Sequence, residues 1–127
     1  MGATIFAPNG DALGKADEKR KHLLCVDDHE DTRAMMSALL GMHGYQVTTT
    51  GSVIEALSLT KKGGFDLFIL DSIYPDGFGF DLCQQIRRFD PQTPIVFLSG
   101  LADDSDIAKG MKAGAQAALT EVQSMLS

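Results

Sequence analysis

The chain has 127 residues, enough for one domain around one core, and its 44% hydrophobic and 22% charged content is that of a globular protein. Eleven basic residues against 17 acidic ones leave a net charge of −6, and the densest basic run is only Lys19-Arg20-Lys21, so direct nucleic-acid binding is not expected. No stretch approaches the roughly 18 apolar residues of a membrane span, no basic start followed by a long apolar run marks a secretory leader, and Phe6 stands where a myristoylation signal wants Ser or Thr.

Residues 1–21 mix Gly, Pro, Asn and charges without a sustained period and read as a flexible tail, with a short helix allowed near Ala12–Lys21. The regular pattern starts at Leu23. Leu23–Val26 is a short apolar run halted by Asp27-Asp28, the signature of a buried strand. Met35, Met36, Leu39, Leu40 and His43 form a helical stripe over 30–43, with Gly41 and Gly44 at its end. Tyr45–Thr50 is β-branched and alternating, which suits an edge strand. Val53, Ala56, Leu57 and Thr60 make a second stripe, capped by Ser52 and ended by Gly63-Gly64. Leu67–Leu70 is a wholly apolar strand stopping at Asp71.

Phe78, Leu82, Ile86 and Phe89 give a third helix, closed by Asp90-Pro91. Ile95–Leu98 is a fourth strand, stopping at Ser99-Gly100. Ile107 and Met111 mark a fourth helix that ends near Gly114, Ala117–Leu119 reads as a fifth strand, and residues 120–127 as a last, two-turn helix. Cys25 and Cys83 lie inside apolar patterns without CxxC spacing and read as reduced core residues of a cytoplasmic protein. Apolar strands that do not alternate, joined through helices by short connections, imply a parallel, doubly wound α/β sheet. Such sheets bind ligands beyond the carboxyl ends of their strands, here at Asp27, Asp28, Asp71 and Ser99.

Three carboxylates at neighbouring strand ends repel one another by roughly 4 kcal/mol per pair at 4 Å and an effective dielectric near 20. They call for a hard cation, and Mg²⁺ suits oxygen ligands of this kind. Capping of the following helix explains Asp27 and Asp28 as well, but not Asp71, which ends a different strand. Beside a metal, an aspartate can attack phosphorus to give an aspartyl-phosphate. Ser99, followed by small Gly100, is placed to donate a hydrogen bond to such a group, or is an ordinary turn residue.

VDDHEDTR (26–33), LDSIYPDGFG (70–79), PIVFLSG (94–100) and AGAQAALT (113–120) together resemble the receiver domains of two-component response regulators, over residues 22–126. The resemblance implies a tail over 1–21, a receiver domain over 22–127, and a flavodoxin-like sandwich with strand order 2-1-3-4-5. It implies that Asp71 is the phosphoacceptor, that Asp28 and Asp27 are the acidic Mg²⁺ ligands, and that the Ile73 carbonyl is the third protein ligand. Ser99 becomes the switch hydroxyl. The phosphoryl donor is then a sensor histidine kinase or a histidine phosphotransfer protein, so His29, beside the pocket, reads as a loop residue able to tune it. His22 and His43 read as structural. The domain is no enzyme beyond assisting its own phosphorylation and dephosphorylation, and its output is contact with a downstream protein.

The end of the chain departs from the family. Glu121 stands where a lysine is usual, Val122 where a proline follows it, and Ala118 where an aromatic residue is common. An inward Glu121 changes the local charge by two units and works against a phosphorylated state. Two functions therefore stand side by side: a receiver phosphorylated on Asp71, and a degenerate receiver that acts as a phosphorylation-independent interaction module. A metal-dependent phosphohydrolase needs a further acid or base near Asp71, and the sequence offers none.

Overall fold

A computed structural model of the chain describes residues 20–71, 73–74, 77–98 and 107–126. The expected tail lies outside the described residues as far as position 19. Lys21 already belongs to the sheet margin, because its carbonyl accepts the Gln46 N–H at 2.9 Å.

The elements are β1 (His22–Val26), α1 (Glu30–Met42), β2 (Gln46–Thr50), α2 (Val53–Lys62), β3 (Leu67–Leu70), the short strands β4 (Ile73–Tyr74) and β5 (Gly77–Phe78), α3 (Gly79–Phe89), β6 (Ile95–Phe97) and α4 (Ile107–Leu126). The main sheet runs β2-β1-β3-β6, and its three pairings are all parallel. This is the expected order 2-1-3-4, counting β6 as the fourth long strand, and β2 is the expected edge. Strands β4 and β5 form a small antiparallel pair, and Phe78, expected in the third helix, instead ends β5 opposite Ile73, one residue before α3 begins at Gly79.

Alternation along the central strands sends side chains to two layers. Leu23, Cys25, Leu67 and Ile69 pack with Met36 and Leu40 of α1 and with Ala115, Ala118, Leu119 and Val122 of α4. Leu24, Val26, Phe68 and Leu70 pack with Val53 and Ala56 of α2 and with Leu82 and Ile86 of α3. Burying one such aliphatic side chain contributes roughly 1.5–3 kcal/mol. A sheet covered on both faces is thus the energetic heart of the fold.

The helix ends follow local chemistry. Ser52 caps α2 by accepting the Glu55 N–H at 3.1 Å, and Thr50 donates its hydroxyl to the Glu55 carboxylate. Helix α1 closes with Gly44 at φ 90°, the Gly44 N–H on Gly41 O at 3.1 Å and the Tyr45 N–H on Leu40 O at 3.2 Å, a paired termination that needs a left-handed residue. His43, expected in the buried stripe, is exposed and turns Nδ1 onto the Leu39 carbonyl at 2.9 Å. After α3, Asp90 accepts Thr93 Oγ1 at 2.6 Å, and this bond holds its carboxyl below the usual carboxylate range.

The end of the chain corrects the sequence reading. Ala117–Leu119 is not a fifth strand, and residues 120–127 do not start a new helix: both stretches lie in α4, one helix of 20 residues. Ala115, Ala118, Leu119 and Val122 recur at helical spacing and are all buried, whereas Gln116, Ala117, Thr120 and Glu121 are exposed. A three-residue apolar run cannot by itself distinguish strand from helix, and the longer period decides it. With Val122 in place of a proline, nothing in this stretch stops a helix.

Candidate functional site

The site forms where β1 and β3 end side by side. The Asp71 N–H donates to Val26 O at 3.0 Å, extending the β1–β3 ladder by one step. On the other flank the Asp27 N–H donates to Thr50 O at 3.0 Å, which ties the first acid to the end of β2. Arg33, one turn into α1, donates from Nη1 to the Asp27 carbonyl at 2.8 Å. Gly51 makes room for that guanidinium, since a Cβ there would stand 2.7 Å from Arg33 Nη1. The backbone around Asp27 is therefore gripped from three sides before any ligand arrives.

These constraints bring Asp27, Asp28, His29 and Asp71 together: one donor atom from each lies within 4.8 Å of the other three. Asp27 is buried, while Asp28 and Asp71 are partly exposed. Asp27 Oδ1 accepts the His29 N–H at 2.9 Å and faces His29 Nδ1 at 3.2 Å. The same Nδ1 lies 3.1 Å from Asp28 Oδ1, yet that buried oxygen has no hydrogen-bond partner. A buried, unpartnered carboxylate oxygen beside two other acids is costly unless a cation meets it. The donor set, three carboxylates and an imidazole, fits a divalent metal ion.

The expected residues are placed unequally. Asp27, Asp28 and Asp71 converge. Ile73 opens β4, two positions beyond Asp71. Ser99 lies outside the described residues. Glu121 is exposed on α4, and Ala118 faces the core at 4% exposure. The sequence reading passed over Arg33 as a support and His29 as a group touching two of the acids. A histidine directly after the acid pair was the available signal for the second; the first depends on Gly51, which is distant in sequence and gives none.

The comparisons with known proteins agree with this geometry. The family model described as the response regulator receiver domain matches residues 23–122. A probable transcriptional regulator, ycf27 of Cyanidium caldarium, is 36% identical over 101 residues, covering 80% of this chain and 40% of the relative. The chain spans about two-fifths of the length of that relative and of AfsQ1 from Streptomyces coelicolor, which it covers to 41%. Among solved structures, the chemotaxis protein CheY4 of Vibrio cholerae superposes with a TM-score of 0.70 at 28% identity, covering 84% of this chain and 99% of CheY4. The response regulator TrrA, solved in complex with the histidine kinase ThkA, gives 0.69 at 25% identity over 84% of this chain and 99% of TrrA. TrrA from Thermotoga maritima, solved with Mg²⁺ and BeF, gives 0.59 at 26% identity over 71% of this chain and 80% of TrrA. No described helix is long and apolar enough to cross a membrane. The chain belongs to the response regulator receiver domain family of two-component signalling.

Proposed function

We propose that this receiver accepts a phosphoryl group on Asp71, with Asp27, Asp28, Asp71 and the Ile73 carbonyl holding Mg²⁺ beside it. The observation that carries this reading is the meeting of the three carboxylates at the β1 and β3 ends, with Asp28 Oδ1 buried and unpartnered among them. A bound divalent ion supplies charge compensation for phosphoryl oxygens. The chain's own part is positional. The β1–β3 ladder presents the Asp71 carboxylate at the strand end, and an oxygen of that carboxylate forms the new bond to phosphorus. The bond from phosphorus to the donor's histidine nitrogen breaks, and its electron pair leaves with the imidazole.

The donor is a sensor histidine kinase or a histidine phosphotransfer protein, by analogy with TrrA and its kinase. Ser99 supplies a hydroxyl to the phosphoryl group. Residues 22–127 form the receiver, with 1–21 preceding it, and the protein works in the cytoplasm as a phosphoacceptor, not as an enzyme acting on separate substrates. Output passes to another protein; the acidic balance of −6 argues against direct contact with nucleic acid.

One observation favours the second reading, a phosphorylation-independent interaction module. Ala118 is buried in the same core layer as Met36 and Leu40 and offers no aromatic ring to follow the switch hydroxyl. Incubation with Mg²⁺ and acetyl phosphate, read by intact mass, separates the two. The phosphoacceptor reading expects addition of one phosphoryl group that vanishes in Asp71→Asn. An unmodified wild-type chain would overturn the phosphoacceptor reading.

A further inference from the structure

The strand-end pocket holds more than the three acids that the receiver pattern asks for. His29 occupies the N-cap position of α1, yet its side chain caps no backbone N–H. Its ring turns back over the acids, with Nδ1 at 3.2 Å from Asp27 Oδ1 and 3.1 Å from Asp28 Oδ1. Neighbouring ligands on an octahedral ion with bonds of about 2.1 Å stand about 3.0 Å apart. The imidazole nitrogen is thus spaced from both carboxylates as a ligand sharing one ion with them is spaced. Its backbone is fixed there too, since the His29 N–H donates to Asp27 Oδ1 at 2.9 Å. The ring itself is 63% exposed, so it can present its lone pair to an incoming ion without disturbing the core.

We propose that His29 Nδ1 is a further protein ligand of the pocket's cation, and that this nitrogen shifts the site's preference from Mg²⁺ toward first-row transition divalent ions. This inference rests on the reading of the pocket as a cation site and specifies which cation it favours. Mg²⁺ takes oxygen ligands and keeps its waters, whereas imidazole adds affinity for transition ions. Asp27, Asp28 and Asp71 supply the oxygens common to both kinds of ion. His29 supplies the discrimination.

The test titrates the full chain with Mn²⁺ and, separately, with Mg²⁺, in wild type, His29→Gln and Asp28→Asn, with circular dichroism to verify folding. The Mn²⁺-over-Mg²⁺ preference falls by about tenfold or more in His29→Gln. Electron spin-echo modulation of bound Mn²⁺ shows the nitrogen coupling of a coordinated imidazole in wild type and loses it in that variant. Asp28→Asn loses both ions while remaining folded. An unchanged preference in His29→Gln, together with no nitrogen coupling in wild type, overturns the role of His29 and leaves the pocket a cation site. Failure of wild type to bind either ion overturns the pocket reading itself, and the inference with it.

Discussion

The pocket at the ends of β1 and β3 and the helix α4 are held in place by different means. The pocket is set by backbone: two strand-end hydrogen bonds at 3.0 Å and an arginine on the Asp27 carbonyl at 2.8 Å. Helix α4 is set by side-chain packing of Ala115, Ala118, Leu119 and Val122 on the layer shared with α1. The first region brings together the three acids that the receiver pattern asks for, Asp27, Asp28 and Asp71. The second departs from that pattern at Ala118, Glu121 and Val122 and turns into a helix. A strand-end site survives as long as its strands pair, whereas a short terminal strand depends on a few local signals and is readily lost.

Val122→Pro is expected to separate the two regions most strongly. In the receiver pattern a proline belongs there, after a strand. In α4 it removes an intrahelical hydrogen bond and clashes with the preceding turn, at about 3 kcal/mol or more. Chemical denaturation should show that loss, and an unchanged midpoint would restore the strand. Ala118→Tyr comes next. The pattern accepts an aromatic residue at that position, but a side chain 4% exposed between α4 and the sheet has no space for a ring. Overpacking of this kind costs about 1–3 kcal/mol, readable in the same unfolding curves.

Cys25 probes the layer beneath the pocket. Burial, reinforced by the Asp27 carboxylate, pushes its thiol up from 9.0 to about 12. The folded state therefore favours the neutral thiol. The stability it contributes is complete below pH 9.0 and is lost as pH rises from 9.0 toward about 12. Native iodoacetamide labelling should modify the partly exposed Cys83 well before the buried Cys25; equal rates would mean that β1 opens readily. The smallest effect is expected from Glu121→Lys. Because Glu121 is exposed on a helix, acetyl phosphate should modify the variant at a rate within about twofold of wild type, in keeping with the weak coupling of exposed charges.

Much of the architecture is legible in the sequence because apolar runs and breakers coincide. Leu23–Val26 and Leu67–Leu70 stop at acids, Ser52 caps, and Gly44 and Gly63 end helices at positive φ. Asp27, Asp28 and Asp71 were legible for the same reason, since each stands at the end of a buried strand. Ala117–Leu119 was misread because three apolar residues fit either period. Only the spacing 115, 118, 119, 122 resolves them, and that spacing crosses the expected strand boundary. Arg33 and Gly51 were not legible, because their pairing is created by the approach of α1 to the end of β2. His29 was visible as a neighbour of the acids, but its ring contacts depend on a side-chain direction that sequence does not encode.

The most direct measurement is amide chemical shift mapping with Mg²⁺ and beryllofluoride, comparing wild type with Asp71→Asn. Beryllofluoride added to the Mg²⁺-loaded protein should give large shifts at Asp27, Asp28 and Asp71 and small ones over residues 115–126, and none of these in Asp71→Asn. An unperturbed strand-end pocket in wild type, or equal shifts in the variant, would contradict the phosphoacceptor reading.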